Sequence, residues 1–495
     1  MSVILNIEKN IEQHLGEFLE DTPLSNDDIR KCSELIITKI FEFQKEMGFD
    51  DKRIRKTTKI TDANSYNFES GLPFTFNLKR INDHIVKIQI FGPSAIEKFE
   101  LGKGSYKKTK KSISFIVDLQ GHEPIQHYDS VIQRSVQIYR NPENNSITTC
   151  LEKHKKLLDK LGQDVKIVPV PEYRVYMTKQ KKYRFELEQK WYPGDLYQAI
   201  EMGKLPLKMY GDDRNERELD FVDKFAVLRD VAQTLHKIHK EAFVVRDIKP
   251  ANILVKLDDQ VNVAGYLFDF DLMQLIGLGD KDDVEDYYYY DACSREMLVT
   301  PSTDIYGLAL SAAEAFLPNF YQFEKEKESY HFEQNQTMKT EMLKLCVREK
   351  MADLFPIGIP ADIIFTIVER LKISDAVTPK AFYDATIKIL QDHLKDYRED
   401  PYQINMLTKF EAELYCMMEI LDLVAAQKKR SAGLYQYICE NSDIRDELIS
   451  ENVKDRLEAI GLLSKNPRIY ITAEEFARQL AVIEENFRSR LPAGH

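Results

Sequence analysis

Between Phe243 and Leu272 the chain sets an acid at Asp247, a lysine at Lys249, an amide at Asn252 and a second acid at Asp269. Carboxylate and amide oxygens are the ligands that a hard cation such as Mg²⁺ prefers. A carboxylate able to tolerate such a cation nearby can also take or orient the proton of a hydroxyl, and a lysine two residues on can neutralise the charge of a moving phosphate. Each residue alone would pass for a turn or cap residue. Together, held at fixed spacing between the apolar runs Phe243-Val244-Val245, Ile253-Leu254-Val255 and Tyr266-Leu267-Phe268, they are the set that phosphoryl transfer needs.

The run Val245-Arg246-Asp247-Ile248-Lys249-Pro250-Ala251-Asn252, followed by Asp269-Phe270-Asp271, resembles the catalytic loop and metal-binding motif of the eukaryotic-type protein kinases, which read H-R-D-L-K-P-x-N and D-F-G. The resemblance implies Asp247 and Lys249 as catalytic residues, Asn252 and Asp269 as Mg²⁺ ligands, and a Ser/Thr hydroxyl as acceptor, since Lys249-Pro250 follows the Ser/Thr branch. Val245 stands where the family has histidine, a packing role an apolar residue can fill. Asp271 stands where the family has glycine and reads as a solvated or capping residue. Arg246 is the arginine that family members neutralise with a phosphorylated loop; here the acidic run Asp280 to Asp286 is expected to supply a carboxylate instead.

The elements that must position these residues can be read along the chain. Apolar residues at three- and four-residue spacing predict helices over 3–19 and from Ser25 towards Gly48, forming an N-terminal helical hairpin. Residues 84–91 read as a strand, and Phe99 to Val117 as strand, glycine turn and strand. The resemblance makes that turn a phosphate-covering loop, with Gly102, Gly104 and Ser105 binding nucleotide. The next strand, read at Ser135 to Arg140 with Ser130 to Gln133 as a second register, should carry the phosphate-anchoring lysine. Gln137 stands in that slot, and no lysine occurs between Lys111 and Lys153. The helix Ser146 to Leu161 should carry a glutamate partner, and His154 falls in its place. Lys103, Lys108 and Lys110 could supply the missing cation from the glycine-turn strands, although a solvated basic strand is the better account of any one of them.

Strands are expected over 174–177 and 183–187, a hinge-like stretch from Glu188 to Leu196 that includes the only tryptophan, Trp191, and a helix from Phe221 to His239. In the family an aspartate opening a buried helix accepts hydrogen bonds from the catalytic-loop backbone, and Asp304 fits it. Glu296 is the nearest match to the family's A-P-E glutamate. Past residue 398 the chain reads as helical, with one stripe over 401–426, a break at Gly433 and a capping box at Thr472 to Glu475.

The 495 residues carry a net charge of −12, which disfavours a general nucleic-acid or anionic-membrane binder. Six scattered cysteines without metal-ligand spacing suit a reducing compartment. With no apolar run of membrane length and no basic leader, a cytoplasmic protein without membrane insertion is expected. The paired glutamates Glu474-Glu475 and Glu484-Glu485 resemble the tails of some bacterial secreted effectors, which would make that the host cytosol, but ordinary helices share the pattern.

The reading is therefore an α+β, two-lobed protein-kinase-like fold: helical extension 1–84, kinase-like domain 85–397 (lobes 85–192 and 193–397) and helical domain 398–495. Its function would be transfer of the γ-phosphoryl of ATP to a protein hydroxyl with Mg²⁺, its protein partners meeting the helical extensions. Two alternatives stay open: a pseudokinase scaffold, and a kinase-fold enzyme with another transfer reaction.

Overall fold

In this computed structural model the described residues are 13, 25–46, 60–62, 65–69, 75–81, 85–91, 100–103, 107–118, 123–135, 146–162, 165–177, 183–206, 216–257, 262–279, 287–326, 336–354, 358–372, 374, 376, 378–397 and 400–492. Of the expected helix over 3–19 only residue 13 is described, and it is helical; the C-cap at Gly48 lies outside the described residues. The fold is mixed, with helices and antiparallel sheets, and its contacts divide the chain into two units. Unit 1 comprises residues 1–152, 169–193 and 206–216, and unit 2 comprises 153–168, 194–205 and 217–495.

Unit 1 holds helix α1 (Asn26–Glu46) and a nine-stranded sheet. Its strands are β1 (Ile60–Asp62), β2 (Ser65–Glu69), β3 (Thr75–Arg80), β4 (Ile85–Phe91), β5 (Glu100–Lys103), β6 (Lys107–Asp118), β7 (Glu123–Ser135), β8 (Glu172–Met177) and β9 (Tyr183–Lys190). The order is β1-β2-β3-β4-β6-β7-β9-β8, with β5 hairpinned onto β6. Alternation along β4 buries Val86 and Ile88 on one face, yet Lys87 and Gln89 on the other face are buried too. A buried cation needs a partner, and Lys87 Nζ finds Glu188 Oε2 at 3.0 Å, while Ser114 Oγ donates to Glu188 Oε1 at 2.6 Å.

The strand after the β5–β6 hairpin is β7, which ends at Ser135. The stretch Ser130 to Gln133 thus lies inside it, and Gln137 falls beyond it, outside the described residues. In either register β7 offers no lysine. Helix α2 (Ser146–Leu161) runs over the expected residues and ends on Gly162 at φ 74°, and the division between the units falls inside it, after Glu152.

Unit 2 continues with β10 (Gly194–Asp195), α3 (Leu196–Met202), β11 (Lys204–Pro206), β12 (Glu216–Glu218), α4 (Phe221–Lys240), β13 (Phe243–Val244), β14 (Ile253–Leu257), β15 (Val263–Leu267), β16 (Gln274–Leu275), β17 (Gly277–Leu278), α5 (Ala292–Arg295), β18 (Leu298–Val299) and α6 (Pro301–Phe316). Helices α7 (Phe320–Glu326), α8 (Gln336–Lys350), α9 (Ala361–Lys372), α10 (Pro379–His393), α11 (Pro401–Glu440), α12 (Ser442–Leu448), α13 (Val453–Leu463) and α14 (Ala473–Arg488) complete it.

Helix α4 opens on a reciprocal capping box between Asp220 and Asp223, and its stripe Phe225, Leu228, Val231, Leu235 and Ile238 is fully buried. Helix α11 begins on Asp400, whose side chain accepts from Tyr402 N at 2.8 Å and Gln403 N at 3.1 Å, and it runs for 40 residues. The expected break at Gly433 does not occur, because a lone glycine costs only about 1 kcal/mol against the packing of a long buried stripe. Thr472 accepts from Glu475 N at 3.1 Å and starts α14. The rings of Phe221, Phe225, Phe316 and Phe487 lie 4.6 to 6.4 Å apart, so α14 shares one aromatic core with α4 and α6. Among the described residues no helix is long and apolar enough to cross a membrane.

Candidate functional site

Unit 2 brings Asp247, Lys249 and Asn252 together. After α4 the chain turns through Ala242 at φ 60°, and β13 pairs antiparallel with β16. The next residues, Val245 and Arg246, are held by Asp304 in the first turn of α6: Oδ2 accepts from Val245 N at 2.9 Å and Oδ1 from Arg246 N at 2.7 Å. His239 Nε2, from the last turn of α4, meets Asp304 Oδ2 at 2.9 Å. Arg246 has φ 73°, a conformation costly for a residue with a Cβ, and the fully buried Asp304 carboxylate is what fixes it.

The loop then delivers Asp247. Lys249 Nζ lies 2.9 Å from its Oδ2, and Asn252 Nδ2 donates to the same Oδ2 at 2.7 Å and to Asp247 O at 2.9 Å. Both of these side-chain hydrogen bonds fall on Oδ2, which fixes the plane of the carboxylate. The amide nitrogen of Asn252 is committed likewise, which presents its oxygen as a ligand. A single turn of 3-10 helix, Pro250–Asn252, feeds β14, whose register places Ile253 opposite Leu267 on β15. Beyond that pair Phe268 N donates to Asn252 O at 3.3 Å, and Asp269 follows at φ 64°. A hydrogen bond one residue away thus ties the chain at Asp269 to Asn252.

The Asp269 segment is anchored from unit 2's part of α2 and the chain after it. Val168 N donates to Leu267 O and Leu267 N to Lys166 O, both at 2.9 Å. Lys153 Nζ donates to Met273 O at 3.3 Å. His154, only 6% exposed, packs its ring 4.6 Å from that of Phe270, which is itself 3% exposed. Burial pushes the His154 imidazole down to about 4, against a hydrogen bond to Val168 and the charge of Asp271 that pull the other way, so the ring is neutral at pH 7. The residue read in the glutamate slot is therefore an uncharged packing partner of Phe270. Asp271 is exposed, as expected of a solvated position.

Val245 is 1% exposed in the core. The acidic run expected to neutralise Arg246 lies outside the described residues; Arg246 Nη1 donates to Gln274 Oε1 at 2.8 Å. The C-terminal helices hold the segment that follows. Arg456 of α13 donates through Nη1 to Ile276 O, Ala292 N donates to Ser431 Oγ of α11 at 3.1 Å, and Lys428 of α11 pairs with Glu324, which also accepts from Tyr288 at 3.0 Å. Glu296 is the C-cap residue of α5 and is exposed.

Gly102 lies in β5 of unit 1, while Gly104 and Ser105 lie outside the described residues. The side chains of Lys103, Lys108 and Lys110 are likewise outside the description. Two positioning residues were missed in the sequence. His239 carried no local signal, being 65 residues from Asp304. Gly307 did: it follows Asp304 by one helical turn, and a Cβ there would come well within 3.0 Å of Ile248 O, so only glycine lets α6 press against the loop that carries Asp247.

An amide oxygen and a carboxylate are the kinds of donor that Mg²⁺ accepts alongside water and phosphate oxygens. No group of three or more His, Cys, Asp and Glu is placed to hold a metal among the described residues, so a protein-only cage is not built there. A scan against protein-family models and a search of curated proteins find no match to this chain.

Proposed function

We propose that the chain is a divergent protein-kinase-like phosphotransferase that moves the γ-phosphoryl of ATP to a Ser/Thr hydroxyl of a protein. The observation that carries this reading is the Asp247, Lys249 and Asn252 cluster on a loop whose backbone Asp304 holds at two amides. A chain with no phosphate to handle has little physical reason to concentrate these polar groups around one strained turn.

In this reading Asp247 Oδ1 accepts the hydrogen of the acceptor hydroxyl, while Oδ2 is held by Lys249 and Asn252 and so fixes the carboxylate plane. Lys249, 29% exposed at its side chain, stands beside the carboxylate to balance charge on the transferring group. Asn252 Oδ1 and the Asp269 carboxylate would hold Mg²⁺, which supplies charge neutralisation of the phosphate oxygens. The contact of Phe270 with neutral His154 keeps Asp269 at the end of β15.

A second reading, a pseudokinase scaffold that binds nucleotide weakly or not at all, draws on two observations: β7 has no lysine, and the residue at His154 is uncharged. The two separate in one experiment on the full chain, with Mg·ATP binding by calorimetry and phosphoryl transfer from labelled ATP measured for the parent, Asp247→Ala and Asp269→Asn. The proposal expects Asp247→Ala to keep nucleotide binding and lose transfer by about a hundredfold or more, and Asp269→Asn to lose Mg²⁺-dependent binding. A parent that binds no Mg·ATP sinks the catalytic reading; one that binds it without transfer favours the scaffold.

A further inference from the structure

At the far end of β14 from Asn252, about 13 Å along the strand at 3.3 Å per residue, unit 2 has an open groove of about 370 Å³. Its polar lining is Lys166, Arg229, Asp230, Lys256, Asn262 and Tyr266. The ammonium groups of Lys166 and Lys256 lie 5.4 and 5.7 Å from the same Tyr266 ring centre, and both lysines are half-buried. Neither makes a carboxylate ion pair within 4.0 Å among the described residues, whereas Arg229 pairs with Glu484 at 2.9 Å. Among the described lining residues the one acid is Asp230, which accepts from Gly265 N at 3.2 Å; burial pushes its pKa up against the charges of Lys166 and Arg229, so it offsets part of the lysine charge from beyond ion-pair distance.

Half-desolvated cations on an aromatic face, with no carboxylate at ion-pair distance among the described residues, leave room for an anion from outside. The chain as a whole carries −12, so this cationic groove is a local exception to its field. The volume exceeds what a single inorganic anion fills. Alternate side chains of an extended strand project to one face about 7 Å apart, so an extended acidic segment presents a row of carboxylates to two ammonium groups that share one ring. A polyphosphate strand carries the same sign of charge, and displacement by inorganic phosphate or an oligonucleotide distinguishes it from a carboxylate-bearing segment.

We propose that this groove docks an acidic, extended segment of a protein partner. The site is separate from Asp247 and Asn252, and the inference stands whether or not the chain transfers phosphate. Fluorescence anisotropy on the full chain without nucleotide tests it, using a labelled peptide of alternating glutamate and glycine and its lysine counterpart. The glutamate peptide is expected to bind, and Lys166→Glu with Lys256→Glu to weaken it at least about tenfold while gaining the lysine peptide. The double Lys→Met variant, which keeps the stems on Tyr266, should lose binding without the reversal, and a thermal melt matching the parent shows that both variants are folded. The proposal is overturned if the parent does not prefer the glutamate peptide, if the Met variant binds it as the parent does, or if inorganic phosphate or a short single-stranded oligonucleotide displaces it at an ionic strength where sodium chloride does not.

Discussion

Asp304→Asn probes the hold on the candidate catalytic loop most directly. The carboxylate is fully buried and receives three donors: Val245 N and His239 Nε2 on Oδ2, and Arg246 N on Oδ1. An asparagine keeps one acceptor and turns an NH₂ towards the other set, so at least one backbone N–H loses its acceptor. A buried orphaned donor costs about 1–3 kcal/mol, and each remaining bond falls from charge-assisted to neutral strength at a further cost of about 1 kcal/mol. The sum, about 2–5 kcal/mol, is a large part of the 5–15 kcal/mol that typically holds a domain. Urea unfolding followed by far-UV circular dichroism reads mainly the helices of unit 2, and with a slope of about 3 kcal/mol/M the midpoint should fall by about 1 M. The surface change Asp384→Asn serves as the control. A midpoint equal to that control would refute the claim that Asp304 organises the loop, because no relaxation of a fully buried site can supply two amides with water at no cost.

Two further outcomes follow from the same packing. Gly307→Ala should destabilise unit 2 by about 2 kcal/mol or more and reduce any transfer activity with it, because the new methyl meets the Ile248 carbonyl and α6 must move off the loop; a urea midpoint unchanged from the parent would count against this. His154, with a folded pKa of about 4 against an ordinary 6.5, takes no proton in the folded chain while the unfolded chain does. Stability is therefore fully present above pH 6.5 and declines as pH falls towards 4, by about 1.4 kcal/mol per unit and about 3 kcal/mol in all. His154→Phe keeps an aromatic ring on Phe270 and should remove one proton's worth of that slope in urea midpoints taken from pH 7 to 5; an identical slope would show that the imidazole is not buried neutral.

The helices at 146–161 and 221–240, the strands at 85–91 and 183–190 and the cap at Thr472 were legible because their signals are local: hydrophobic period, capping residues and turn glycines repeat within a few positions. The five-residue interval from Asp247 to Asn252 was legible for the same reason, since a single tight turn closes it and sets the Asn252 amide on Asp247 Oδ2. Gly433 misled because helix propensity is weak beside the burial of a 40-residue stripe, a quantity that depends on what α11 packs against.

What the sequence determined by itself is the chemistry on offer: which acids, amide and lysine stand within one turn, and that no lysine exists on the strand where one was sought. Tertiary structure decided how those groups are held. The neutrality of His154 comes from burial among neighbours that include Phe270, 116 positions away in the chain, and the conformation of Arg246 from Asp304, 58 positions away. Desolvation and buried hydrogen bonding depend on which distant segments meet, and spacing along the chain does not encode that meeting.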